Sequence, residues 1–358
     1  MKVLIACIPT PLNRFLIDLK TGLEKQDVEV IWDYEEFWRF ENHYDIIHIH
    51  WPEYLSYELE TYLMKTIPLP NDLWKRISEC FEYWSRNSTI VYTRHNLAPH
   101  QRNDDDFKKL YRFAASYSKT VIHFANFSIA QFKEFYPELE GINHVLIPHH
   151  NYASLPNTST REQARKILNI EPDTRVMLVF GGVKENEKEI INNAYGYLPG
   201  KKILLAPGWK INRRKIGYIR LRELVWKFEK FIAAKNKSKR INLGYINEED
   251  TQYYLNAADF LFIPRTNELN SGNVTLGCTF GLVVVGKKGT NIGEILEETG
   301  NPTFEVGNEE SLKFAIEKSC KLMEQHHGNK NKEIALSKWS VGQIADMYYL
   351  TMKKSIAK

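Results

Sequence analysis

The chain has 358 residues, 43% hydrophobic and 26% charged, with a net charge of +4 at neutral pH. That length predicts about two domains, and the balance excludes wholesale disorder. Its four cysteines, Cys7, Cys80, Cys278 and Cys320, stand far apart with no CxxC pair. This excludes a disulfide scaffold and zinc-ribbon spacing, and suits buried thiols in a reducing compartment.

Short apolar runs alternate with longer amphipathic ones from the start. Lys2–Ile8 reads as a buried strand and Arg14–Lys25 as a helix, then Val28–Trp32 and Tyr44–His50 as strands. Helices over 53–65 and 71–86 precede a strand at Thr89–Thr93. A helix over 105–117, a strand at Thr120–His123, a helix at Ser128–Phe135 and a strand at His144–Ile147 follow. Residues 149–160, polar and carrying Pro156, break the rhythm and mark a hinge near 150–172.

The rhythm restarts with a strand at 175–180, a helix at 185–196, a strand at 202–205 and a basic helix near 217–233. Strands at 240–243, 259–263, 282–285 and 303–306 then alternate with helices at 248–257, 272–280, 291–297 and 308–325. A last helix spans about 331–354. A βαβα alternation predicts parallel sheets covered on both faces. The fold class is therefore α/β: two doubly wound, Rossmann-like domains facing a central cleft, the first over 1–155 and the second over 156–335. Residues 336–358 form a C-terminal helix that packs back on the first domain. Ligands of such folds sit at the C-terminal edges of the strands.

No run approaches the roughly 18 apolar residues of a membrane span. The opening Met1–Ile8 is short and stopped by Pro9 and Pro11, unlike a secretion signal. Segment 201–240 holds fourteen Lys or Arg against two acids, Glu223 and Glu229. Its net +12, against +4 overall, leaves −8 for the rest of the chain. An anionic partner fits that stretch, and an anionic membrane surface fits better than nucleic acid, for which no recognition motif is present.

The unusual residues fall at strand ends. In His48-Ile49-His50-Trp51-Pro52-Glu53 both histidines alternate onto one strand face. A zinc site needs more partners than two imidazoles, so a core or cleft-wall role is preferred. Arg94-His95-Asn96-Leu97-Ala98-Pro99-His100 places imidazoles and an amide after the next strand, suited to hydroxyl recognition or acid–base work. Pro148-His149-His150-Asn151-Tyr152 ends the first domain.

In the second domain, Gly181-Gly182 with Lys184 and Lys188 follows the first strand. Lysines at a helix start oppose the dipole, whereas holding a diphosphate there would explain them. Glu185, Glu187 and Glu189 interleave with them and pull the other way. Arg265 to Asn273 ends another strand, with Asn270 or Ser271 as helix cap and Gly272 opening the helix, an arrangement suited to an anion. Glu268, just before it, can accept bonds from sugar hydroxyls. Asp104-Asp105-Asp106 reads as helix capping rather than a metal site. The Trp74/Ile77/Phe81/Trp84 stripe reads as core.

These motifs, in this order, resemble the GT-B glycosyltransferases, closest to the mostly retaining group-1 type. The carrying segments are Ser271-Gly272 through Phe280-Gly281-Leu282-Val283-Val284-Val285 and the Gly289–Glu294 loop. IHIHWPE, RHNLAPH and IPHHNY are similar to the bacterial polysaccharide subgroup, and Trp339 matches the family's usual ending. Glu268 matches the first of the family's two donor-site glutamates. Leu276 stands at the second, and Val283 replaces the usual proline.

The resemblance implies transfer of a sugar from a nucleoside diphosphate sugar to a saccharide or lipid-linked hydroxyl acceptor. It places this in surface polysaccharide or glycoconjugate synthesis, without metal or other cofactor. Donor contacts would come from Gly181, Gly182, Lys184, Lys188, Glu268, Asn270, Ser271, Gly272 and Asn273. His95, Glu268 and Lys184 would be catalytic, and His50, Glu53, Asn96, His100 and His149 would face the acceptor. If the reaction inverts, Glu53 or His95 is the candidate base. The place of action would be the cytoplasm or the inner membrane face. A sugar-nucleotide 2-epimerase and a non-catalytic nucleotide-sugar-binding subunit are the alternatives.

Overall fold

A computed structural model describes residues 1–99, 104–211, 223, 225–231 and 236–357. The chain divides into two compact units. Unit 1 comprises Met1–His150, Glu268–Asn270 and Trp339–Lys358, and unit 2 comprises Asn151–Asn267 and Ser271–Lys338.

Unit 1 is built on six parallel strands: β1 Lys2–Ile5, β2 Glu29–Trp32, β3 Ile46–Ile49, β4 Thr89–Thr93, β5 Thr120–His123 and β6 Asn143–Leu146. Their order is β2-β1-β3-β4-β5-β6, with Val3 opposite Ile46 and Ile47 opposite Ile90. Strand β3 is buried at every position, as expected where helices cover both faces. On one face Leu4, Ile47, Ile90 and Val121 pack against Ile77, Phe81 and Trp84 of the Asn71–Asn87 helix, with Trp74 partly buried beside them. The aromatic stripe is thus core.

On the other face Val3, Ile5, Ile46, Val91 and Ile122 meet Phe15, Leu16 and Leu19 of the Arg14–Glu24 helix and Ile344, Tyr348 and Met352 of the Val341–Ala357 helix. The two helices lie so close that a Cβ on Gly22 would come within 2.6 Å of Ala345 Cβ.

Unit 2 repeats the plan with β7 Arg175–Leu178, β8 Lys202–Ala206, β9 Lys239–Ile241, β10 Phe260–Phe262, β11 Val283–Lys287 and β12 Thr303–Phe304. Their order is β12-β11-β10-β7-β8-β9. Both units are therefore doubly wound α/β folds with parallel sheets.

Several boundaries differ from the sequence reading. The helix expected over 53–65 is a 3-10 turn, Pro52–Tyr54, followed by the Tyr57–Lys65 helix. Ser56 restarts it by accepting from Leu59 N–H at 3.1 Å. The final helix is two, His327–Lys338 and Val341–Ala357. Ser340 caps the second, its Oγ accepting from Gln343 N–H at 3.3 Å. Asp104 caps Asp105–Ser116 by accepting from Phe107 N–H at 3.2 Å. The basic helix read over 217–233 falls partly outside the described residues, of which 223 and 225–231 are helical. Among the described residues, no helix is long and apolar enough to cross a membrane.

Candidate functional site

In unit 1 the sheet face that carries Ile46 and Val91 changes character at its C-terminal end. The same alternation that buries those residues delivers His48, His50, Thr93 and His95 to that face. His48 and His50 are fully or nearly fully buried, and His95 is 7% exposed. His95 Nε2 lies 2.9 Å from His50 Nδ1, and His50 Nε2 lies 3.2 Å from His48 Nδ1. His48 Nε2 lies 2.9 Å from Thr93 Oγ1, which is 3.3 Å from the Tyr348 hydroxyl.

Phe15 packs edge-on to His95 and stacks on His150, with centroids 5.1 and 4.9 Å apart. The Trp51 ring stacks on His95 at 4.0 Å. This apolar casing sets the charge state. Burial lowers His48 to a pKa of about 3, and it lowers His50 well below the ordinary value, aided by its two neighbouring rings. His149 is also lowered to about 3, mainly by burial. These imidazoles are neutral near pH 7.

Glu53, two residues after Trp51, is 2% exposed, and its Oε2 accepts from the Tyr111 hydroxyl at 2.8 Å. Burial raises its pKa to about 7, against the opposing pull of the Tyr111 hydrogen bond. Asn96 is buried as well and bonds the same tyrosine. Asn270 was one candidate for a helix cap in unit 2. The Asn273–Thr279 helix instead has Gly272 at its cap position, and the Asn270 amide donates to the carbonyl of His95 at 2.6 Å. Glu268, 7% exposed, groups with it in unit 1. His100 lies outside the described residues.

In unit 2 the turn after β7 is organised by charge. Glu187, 1% exposed, accepts from Arg265 Nη1 at 2.6 Å and from the Lys184 backbone N–H at 2.9 Å. Arg265 Nη2 donates to the Gly182 carbonyl at 2.8 Å. Gly181 adopts φ +87°, where side chains are strained. The turn also packs backbone to backbone on Gly208, whose Cβ would fall 2.1 Å from the Gly181 carbonyl oxygen. Asn273 Nδ2 donates to the Phe180 carbonyl at 2.8 Å, tying the helix start to the same strand end.

The turn thus gathers Gly181, Gly182, Lys184 and Asn273. Lys188 Nζ is paired with Glu185 at 2.6 Å and lies 5.8 Å from the Trp209 ring centroid. Leu276, where the resembled family has its second glutamate, is buried at 5% exposure. Sequence reading missed Thr93, Tyr111, Arg265 and Tyr348 as site residues, and took Glu187 only as an opposing charge. Each acts through a partner distant in the chain. Among the described residues, no cluster of three or more His, Cys, Asp or Glu is placed to hold a metal ion.

No protein-family model and no curated protein sequence matches the chain. Solved structures do match its fold. HepE from Anabaena, solved with UDP and glucose, aligns over 99% of this chain and 100% of its own, at 15% identity and a TM-score of 0.67. Sucrose-phosphate synthase from Thermosynechococcus elongatus aligns over 98% of this chain and 81% of its own, at 16% identity and a TM-score of 0.61. A protein from Listeria monocytogenes described as a UDP-N-acetylglucosamine 2-epimerase covers 99% and 96%, at 12% identity and a TM-score of 0.56. The fold is that of the GT-B glycosyltransferases.

Proposed function

We propose that this protein is a glycosyltransferase that moves a sugar from a nucleoside diphosphate sugar to a hydroxyl of a saccharide or lipid-linked acceptor. The product would be a surface polysaccharide or glycoconjugate, formed with retention and without a metal, by a protein of the cytoplasm or inner membrane face. One observation carries the reading. The Gly181-Gly182 turn is held open at a strand end, with Lys184 and Lys188 beside it, on a fold that HepE shares and that was solved there with UDP and glucose.

In this reading unit 2 binds the donor. Negative charge grows on the leaving diphosphate, so Lys184, Lys188 and the backbone amides around Ser271 and Gly272 lower the barrier there. Asn273 and Glu268 hold donor groups, and Glu268 accepts from sugar hydroxyls. His95, buried against Phe15 and Trp51, orients a reacting hydroxyl. Asn96, Glu53, His50 and His149 shape the acceptor side, as His100 would. The basic stretch over 201–240 supports contact with an anionic membrane surface, which salt would weaken.

The test starts with thermal shifts against UDP, GDP, ADP, CMP and their sugars, then calorimetry on the Lys184→Ala/Lys188→Ala double variant. A charge-assisted contact is worth about 1.5–3 kcal/mol, so the expected loss of donor affinity is at least about tenfold. A folded double variant with unchanged affinity and transfer rate rejects the diphosphate assignment. Sugar epimerised without an acceptor rejects transfer.

A further inference from the structure

The hydrogen bonds that run from His95 to Tyr348 form a single series whose direction can be argued from its buried end. Five groups lie in one line: His95, His50, His48, Thr93 and Tyr348, linked at 2.9, 3.2, 2.9 and 3.3 Å. A neutral imidazole carries one N–H, so each ring donates through one nitrogen and accepts through the other. The rings therefore share one sense. Either all donate toward Tyr348 or all donate toward His95.

Tyr348 decides between them. It is fully buried, and its hydroxyl hydrogen must find an acceptor or be stranded at a cost. Thr93 Oγ1 is the acceptor at hand. Thr93 then turns its own O–H to His48 Nε2. His48 donates Nδ1–H to His50 Nε2, and His50 donates Nδ1–H to His95 Nε2. With Nε2 thus accepting, His95 carries its proton on Nδ1.

We propose that His48, Thr93 and Tyr348 are positioning residues that lock His50 and His95 as Nδ1–H tautomers, making His95 a fixed hydrogen-bond donor rather than a base. A base would need a bare Nδ1, but in this sense Nδ1 already carries the proton and the bare Nε2 is taken by the His50 N–H. The line ends on a neutral phenol in an apolar core, which cannot hold a second proton. Its far end is therefore closed to net proton flow, and the line fixes which nitrogen of His95 carries the proton. The burial that keeps His48 and His50 uncharged fits this role. The tautomer assignment is independent of the glycosyltransferase reading. Its consequence, that His95 donates to a hydroxyl rather than deprotonating one, rests on that reading.

The experiment is long-range proton–nitrogen correlation NMR on the full chain with nitrogen-15 histidine. Each ring is assigned by its own His→Gln variant. Imidazole free in water favours the Nε2–H form, so three Nδ1–H rings would stand apart from surface histidines. The expected result at neutral pH is protonated Nδ1 and bare Nε2 in His48, His50 and His95.

Thr93→Val removes both the donor to His48 and the acceptor for Tyr348, and should move His95 toward the solution tautomer. Thr93→Ser should restore the original pattern, which a purely steric role for Thr93 would not require. Nε2–H signals for His50 and His95 in the unaltered protein overturn the proposal. So does a folded Thr93→Val variant whose His95 signals do not move. If that variant fails to fold, the unaltered spectrum still decides. Nucleotide binding measured on the same sample is a separate readout, so failure of the donor reading leaves the tautomer result standing and identifiable.

Discussion

The strand-end loops of the two units solve opposite problems. In unit 1 imidazoles and hydroxyls are sunk among Phe15, Trp51 and Tyr348, a buried carboxyl meets Tyr111, and burial drives His48 and His50 to their uncharged forms. In unit 2 the charged groups are paired with opposite charges, Arg265 with Glu187 and Lys188 with Glu185. The first arrangement offers oriented neutral donors and acceptors, the chemistry that suits sugar hydroxyls. The second concentrates cations around a backbone turn, the chemistry that suits phosphate. Perturbing each unit in the way the other is built separates the two.

The largest effect is expected where a charge is stranded. Arg265→Ala leaves the Glu187 carboxylate, 1% exposed, without its cation. Breaking a buried pair from one side costs about 3–5 kcal/mol, which for a unit of this size lowers Tm by on the order of 10 °C. Arg265→Ala/Glu187→Gln should recover part of that loss. Calorimetry of the single and double variants is the check, and a single variant that melts within a degree or two of the parent removes the ion pair as the prop of the Gly181-Gly182 turn.

The next effect belongs to unit 1 and depends on pH. Burial raises Glu53 to about 7. The unfolded chain ionises this carboxyl near the ordinary value while the folded chain keeps it protonated. Stability contributed by the neutral form is therefore complete at low pH and is lost as pH rises from about 4.5 through about 7. The span is up to about 3 kcal/mol. Glu53→Gln keeps an oxygen that can accept from Tyr111 and has no proton to lose. It should match the parent in acid and exceed it at pH 8, as read by urea unfolding at both values. Equal stability of the two proteins at pH 8 would mean that Glu53 ionises without penalty.

Both sheets could be read from the sequence because strands such as β3 and β10 are buried on both faces, which leaves unbroken apolar runs. Short helices carried too little periodicity: Glu35–Trp38 and Arg161–Ile167 were missed. The break before Val341 was signalled by Ser340 followed three residues later by Gln343, a capping pattern inside an otherwise continuous helical run. In the site, alternation was enough to place His48 and His50 on one face. Their continuation into Thr93 and Tyr348 was not legible, because Tyr348 arrives from a helix more than two hundred residues away. Asn270 misled for a related reason. Its position suited a cap, yet a backbone carbonyl distant in the chain took its amide.

The smallest effect is the most specific to the contrast between the units. Lys188 spends its charge on Glu185, whose side chain is 74% exposed. Such an exposed pair adds at most about 1 kcal/mol to stability, so Glu185→Gln should leave folding nearly unchanged. The ammonium should also stay in place, because Trp209 lies beneath it. What changes is the field at the turn, which loses one negative charge near the site proposed for a diphosphate. Donor affinity should rise about two- to fivefold at low salt, and the gain should shrink as salt screens it. Titration calorimetry at two ionic strengths reads both. Weaker binding by Glu185→Gln would show that this carboxylate holds Lys188 in its working position instead of competing for it. Unit 2 would then rely on pre-paired charge as fully as the His48–His50 pair of unit 1 relies on being uncharged.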